Sequence, residues 1–260
     1  MNRFIKDVKK YYKYAIYAAR SDLKSEVASS YLNWLWWLLD PLFFMMIYAF
    51  VSIVVFDARE QYFNAFVFIG LTVWDFFNRS VVGSVKIVQA NSAIVTKVYI
   101  PKYVLILVRM LVNSFKMYIS FGLVLIMMII YKVPFTFKII YFIPVILTLY
   151  TVTFGVCTII SHFGVFVEDL SNVINIILKL IFYLSGIFYS VEKRVPVPYN
   201  MYMIKCNPIA YLINELRRVM LYDLMPYRKL MLLWFCIGIV LSVIGVRIIY
   251  KYENSYVKVI

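Results

Sequence analysis

Apolar residues run along this chain in stretches too long for any element that faces water. Between Ile139 and Val167 there is no Asp, Glu, Lys or Arg, whereas a helix needs only about 20 mostly apolar residues to cross roughly 30 Å of hydrocarbon. Stretches of this kind follow one another at 31–56, 62–82, 103–131, 139–166, 173–189 and 230–250. They predict an all-α polytopic membrane protein, with six transmembrane helices forming a single transmembrane domain over 1–260.

The interruptions are more specific than the runs. Residues 1–30 place Phe4, Val8, Tyr11, Tyr12, Ala15, Ala19 and Leu23 on one helical face, and Lys6, Lys10, Lys13, Arg20 and Lys24 on the other. That is the pattern of an amphipathic helix lying in the membrane interface. An aromatic patch follows, Tyr31, Trp34, Trp36 and Trp37, ahead of Asp40 and Pro41; such rings anchor at headgroup level. The polar turn from Asp57 to Gln61 is short enough to make the first two spans a hairpin, the second carrying Asp75.

Residues 84–100 become moderately polar, with Lys86, Gln89, Asn91 and Lys97 among Ile87, Val88, Ile94 and Val95. They predict a short amphipathic helix on the membrane surface, closed by Pro101. Between 190 and 227, Pro196, Pro198, Pro208 and Pro226 punctuate stretches too short to span. This predicts a broken, re-entrant insert of short helices, tolerated at membrane depth where protein or water covers the backbone.

Composition agrees with a bilayer: 64% of the 260 residues are hydrophobic and 15% charged, with a mean hydropathy of +0.83, against about half apolar and a quarter charged in soluble domains. The net charge of +14 is interleaved with the spans, so it points to anionic lipid or substrate and away from nucleic acid. The amino-terminal cations from Arg3 to Lys24 face only Arg59 in the first opposite turn, which favours a cytoplasmic amino terminus. Lys193, Arg194, Lys205, Arg217 and Arg218 pull the other way, from an insert expected to be partly buried. Six spans place both termini on one side. The first insertable run begins near Tyr31, so no cleavable signal peptide is expected and the first span itself drives insertion.

Candidate chemistry is sparse. Cys157, Cys206 and Cys236 lie too far apart for a disulfide framework or a zinc site. No glycine is followed by Lys and Ser or Thr, so the phosphate-cradling loop of ATP-hydrolysing domains is missing. His162 has no partner at ligand spacing, and Glu168 and Asp169 have no second acidic cluster. The chain is therefore not expected to be an enzyme, nor to hold a metal or cofactor. Arg109 and Lys116 share a face of the third span and Lys179 interrupts the fifth; such cations face a bundle interior or wet cavity, and snorkelling or local pairing stands equal with a substrate role.

The order of parts resembles the permease subunit of type-2 ABC exporters, in particular the branch that exports lipid-linked polysaccharides such as O-antigen and teichoic acid. The residues that carry the resemblance are the tract from Asp22, Leu23 and Lys24 through Trp36 or Trp37 to Pro41; Phe68, Gly70, Leu71 and Trp74; Asn91, Lys97 and Pro101; Ser185, Gly186 and Phe188; and Asn207, Pro208 and Arg217 or Arg218. Two departures stand out: Glu168 and Asp169 where many relatives carry Arg-Asp, and Ala28, Ser29 and Ser30 in place of a Gly-rich turn.

The resemblance implies a homodimer with two copies of a separate ATPase subunit, which would bind ATP and Mg. It places both termini in the cytoplasm of a bacterial inner or plasma membrane. Residues 84–100 would be the coupling helix, meeting the ATPase through Lys86, Gln89, Asn91 and Lys97. Residues 190–227 would be gate helices, with Asn207, Pro208, Arg217 and Arg218. A wet sugar path lined by aromatic rings is then expected, since sugar faces stack on them. Its entrance would be Tyr31, Trp34 and Trp37, with Arg20 and Lys24 attracting a polyprenyl diphosphate; Tyr183 and Tyr189 would line it higher up. The alternatives are a permease of the same architecture for a drug or lipid, a membrane enzyme of polyprenyl-linked sugars, and a secondary transporter. The enzyme lacks its acidic cluster, and the transporter lacks the expected likeness between halves.

Overall fold

A computed structural model describes residues 2–28, 31–51, 54 and 60–259, and every regular element among them is helical. The helices are α1 (Asn2–Val27), α2 (Trp36–Phe50), α3 (Phe63–Val85), α4 (Ile87–Ala90), α5 (Ser92–Val95), α6 (Lys102–Ile130), α7 (Phe142–Phe166), α8 (Leu170–Leu184), α9 (Val191–Arg194), α10 (Tyr199–Cys206), α11 (Pro208–Met220) and α12 (Arg228–Val259). Arg59, most of the Asp57–Gln61 turn, Ser29 and Ser30 lie outside the described residues. Among the described residues, four segments are long and apolar enough to cross a membrane: Phe63–Val85, Lys102–Ile130, Phe137–Phe166 and Arg228–Tyr256. The protein is a polytopic membrane protein.

The run read as a fifth span at 173–189 ends sooner, with α8 stopping at Leu184. Ser185 turns its hydroxyl back onto the Ile181 carbonyl at 2.7 Å, and Gly186 follows at φ 63°, a conformation that disfavours side chains. At the other end of the chain, α12 runs on as helix past 250 to Val259.

The bundle is built around α3, whose Ala65, Val67, Ile69 and Val73 are wholly enclosed. Helices α7 and α12 pack along one another at close range: a Cβ on Gly155 would stand 2.7 Å from the Cβ of Leu241 and 2.9 Å from the Ser242 amide nitrogen. Ser242 Oγ also donates to the Thr151 carbonyl across that seam, at 3.1 Å. Small residues matter here because lipid offers no hydrophobic drive between helices, leaving close van der Waals approach to hold them together.

Helix α1 lays its apolar side on α6, with Phe4 against Tyr103 at 5.2 Å between ring centroids. Ala15 and Ala19 are buried, but Tyr12 is 50% exposed. At 100° per residue the face that holds Tyr11 and Ala15 turns Tyr12 outward, a correction to the sequence reading.

The 84–100 segment is two four-residue helices where one was expected. Asn91 separates them: its side-chain amide donates to the Ile87 carbonyl at 2.8 Å, while its own carbonyl accepts from the amides of Ile94 and Val95, each at 3.0 Å. A short polar side chain that bonds local backbone in this way competes with helix continuation.

The end of this segment joins both ends of the chain. Arg3 donates to Tyr99 Oη at 2.6 Å and to Glu253 Oε1 at 2.9 Å, and Tyr99 Oη donates to Glu253 Oε2 at 3.0 Å. Below them, Tyr250 donates to Asp7 at 2.6 Å and meets Tyr103 Oη at 3.0 Å.

Candidate functional site

Two constructions stand out, an aromatic cavity and a buried arginine knot, and they share α3. The cavity, about 680 Å³, lies among α1, α2, α3, α6 and α8. Trp36, Trp37 and Phe44 come from α2, Phe68 and Trp74 from α3, and Phe182 from α8. The rings brace one another: Trp74 lies 5.3 Å from Phe182, and Trp37 meets Phe115 edge-on at 5.2 Å, both between centroids. Pro41, inside α2, adds to the same wall.

Charged side chains share this cavity, and each cation has a carboxylate. Arg79 Nε pairs with Asp75 Oδ2 at 2.7 Å, one turn along α3, and Arg79 Nη2 reaches Asp40 Oδ2 on α2 at 3.3 Å. Lys116 on α6 pairs with Glu26 at the end of α1, at 2.6 Å. Thr72 also lines the space; it is 4% exposed, and its hydroxyl has no hydrogen-bond partner among the described residues.

The second construction centres on Arg217, which is 3% exposed. Its Nε donates to the Phe66 carbonyl at 3.0 Å, Nη1 to Gly186 at 2.7 Å and Nη2 to Ile187 at 2.7 Å. The guanidinium carbon lies 3.4 Å from the centroid of the Phe66 ring. No carboxylate lies within ion-pair distance of it among the described residues. Three carbonyls and an aromatic face satisfy the planar fork that only Arg presents.

Asn207 starts α11 beside this knot. Its Oδ1 accepts from the amides of Ile209 and Ala210 at 3.0 and 3.3 Å, and its Nδ2 donates to Ser185 Oγ at 3.1 Å. Pro208 takes the first helical position, where its missing N–H costs nothing. Arg218 points elsewhere, pairing with Glu192 at 3.1 Å and bonding the Met225 carbonyl at 3.0 Å. Glu215 lies on α11, outside the spans; its Oε2 accepts from the Tyr227 amide at 2.8 Å, and its Oε1 has no partner among the described residues. Burial pushes its carboxyl up to about 7.

The residues singled out from the sequence fall unevenly on these constructions. Trp37 lines the cavity, together with Trp36, which the sequence reading did not place in the sugar path. Tyr31 is fully exposed, Trp34 is 60% exposed and Tyr183 70%; Arg20 and Lys24 are exposed on α1, and none of these five lines the cavity. Tyr189 donates its hydroxyl to the Tyr183 carbonyl at 2.9 Å.

In the surface segment, Lys86 is turned inward, its Nζ on the carbonyls of Gly164 and Val167 at 3.1 Å each. Gln89 and Asn91 are half-buried and Lys97 is exposed. Of the intramembrane cations, Lys116 has its pair with Glu26. Lys179 is exposed. Arg109 packs against Gly83, where a Cβ would stand 2.8 Å from Nε.

Arg79 was missed altogether. Asp75 and Arg79 at four-residue spacing were the signal that a paired charge lay inside the second span.

Comparison with known proteins gives a consistent answer. No family model matches the chain. Two O-antigen export system permease proteins RfbA of Klebsiella pneumoniae are 27% and 25% identical to it over 240 residues, covering 92% of this chain and 92% of each relative. An O-antigen export system permease protein RfbA of Myxococcus xanthus is 24% identical over 241 residues, covering 93% of both. The likeness to export permeases drawn from the sequence therefore holds along nearly the whole chain.

Proposed function

We propose that this chain is the membrane-spanning permease subunit of an ATP-driven exporter that moves a lipid-linked glycan of the O-antigen type. The observation that carries this is the match over 92% of the chain to O-antigen export permeases. Teichoic acid or a related cell-surface glycan on a polyprenyl diphosphate has the same chemistry and belongs to the same reading.

In this reading α2 and α8 complete a set of six spans, giving a bacterial inner-membrane protein with both termini in the cytoplasm. Two copies form the channel, each with one ATPase subunit that binds ATP and Mg. The α4–α5 segment takes the push of the ATPase through its outer residues, Lys97 among them. Lys86 passes that push to the end of α7, and so to the α7–α12 pair. Helices α9, α10 and α11 form the gate on the far side, held to α3 and the end of α8 by Arg217.

Co-purification tests the proposal. Expressed together with a candidate ABC ATPase subunit, the permease is expected to come out as a stable complex whose ATP hydrolysis rises when a polyprenyl diphosphate glycan is added in lipid nanodiscs. A permease recovered alone, with no ATPase binding and no glycan response, would defeat it.

A further inference from the structure

The geometry points to the α1–α2–α3–α6–α8 cavity as a binding site for an uncharged pyranose residue, one that discriminates against acidic sugars. This rests on the glycan-export reading and narrows it to a class of sugar. The cavity's 680 Å³ falls within the roughly 300–1,000 Å³ of small-molecule sites.

Its lining supplies both halves of sugar recognition. Trp36, Trp37 and Trp74 line it, and indole rings are suited to the C–H side of a pyranose ring. Asp40 and Asp75 offer acceptor oxygens for neighbouring hydroxyls, and Arg79 between them fixes both carboxylates while keeping donors of its own.

The discrimination follows from the charge ledger. Among the described residues, Glu26, Asp40 and Asp75 line the cavity against Arg79 and Lys116, and both cations are already paired. A uronate, sulfate or phosphate on the ring would find no free counter-ion and would face an excess carboxylate at close range. A neutral hexose pays no such penalty. The same ledger keeps the diphosphate of a lipid carrier out of this cavity.

Photolabelling of the full-length protein in nanodiscs tests this with three probes that share one alkyl chain and one diazirine: a glucoside, the matching glucuronide, and the chain with no sugar. At pH 7.5 the glucoside is expected to label peptides covering 36–44 and 68–79 at least tenfold more than the glucuronide. Replacing both Asp40→Asn and Asp75→Asn should bring the two probes within about threefold, by admitting the glucuronide.

Equal labelling of the unmodified protein by glucoside and glucuronide would overturn the discrimination, and because this comparison needs no variant it stands whether or not the double substitution folds. If the sugarless chain labels the cavity as strongly as the glucoside, the cavity is a lipid site and the sugar site falls. Either failure leaves the export reading to its own ATPase assay, in which glycan-stimulated hydrolysis would survive.

Discussion

Gly70 lies directly against Arg217: a Cβ added to the glycine would stand 2.7 Å from Nη2 and 3.3 Å from the Cα of Ile187. The guanidinium cannot yield, because both Nη atoms are already bonded to the carbonyls of Gly186 and Ile187. Gly70→Ala is therefore expected to break at least one buried charge-assisted bond, at a cost of about 1.5–3 kcal/mol. For a chain of this size that lowers the thermal midpoint in detergent by several degrees. Gly122, also in a long helix, has nothing within 4 Å of its added Cβ. Gly122→Ala should leave the midpoint unchanged or raise it slightly; equal damage from both substitutions would count against the knot.

Arg217→Lys keeps the charge and loses the fork. One ammonium cannot reproduce three directed donors and the stacking on Phe66, so this variant is expected to lose most of its folded yield by size-exclusion chromatography. A lysine variant with native yield would show that charge alone suffices.

Asn207 has two separable duties. Asn207→Ala removes the cap of α11 and the bond to Ser185, and should destabilise by about 1–2 kcal/mol. Asn207→Asp keeps the capping oxygen and loses only the amide donor, so its loss should be the smaller of the two. The order of the two thermal midpoints decides the matter.

Glu215 makes the fold sensitive to pH. Burial raises its carboxyl from 4.5 to about 7, so the folded state holds its proton where the unfolded chain has lost it. Stability then falls as pH rises from about 4.5 to about 7 and is level above that, by on the order of 3 kcal/mol in all. Glu215→Gln, whose carbonyl can still accept from the Tyr227 amide, should remove this part of the decline. Thermal midpoints between pH 5 and pH 8 should show a shallower slope for the variant; parallel slopes would falsify the assignment.

Lys86→Met should separate coupling from stability. The variant loses the link to the Gly164 and Val167 carbonyls. It is expected to fold and bind the ATPase while exporting several-fold less glycan per ATP hydrolysed in proteoliposomes. An unchanged export ratio would mean that force reaches the spans by another route.

The long apolar runs were legible in the sequence because lipid demands length and apolarity of every span. Asn207 and Pro208 entered as gate residues through the resemblance alone; that they cap α11 is visible only in the structure. What escaped depends on pairs far apart along the chain. Gly70, Gly186 and Arg217 each stood out as separate signs, but nothing in their spacing says that they touch. Arg79 disappeared into an apolar run, though its partner Asp75 stood four residues away, because the second partner, Asp40, comes from another helix. Tyr31, Trp34 and Tyr183 stand clear of the cavity, because a ring's type does not fix which side of its segment it occupies.

The tie among Arg3, Tyr99 and Glu253 has a consequence for assembly. As the chain is synthesised, Arg3 and Tyr99 are present early, but Glu253 arrives only with α12. Until then Tyr99, which leads out of the α4–α5 segment, lacks the carboxylate that fixes it. A chain interrupted before α12 therefore carries the α4–α5 segment on a loose mount, and the joint beside it sets only when residues 154 positions apart have met.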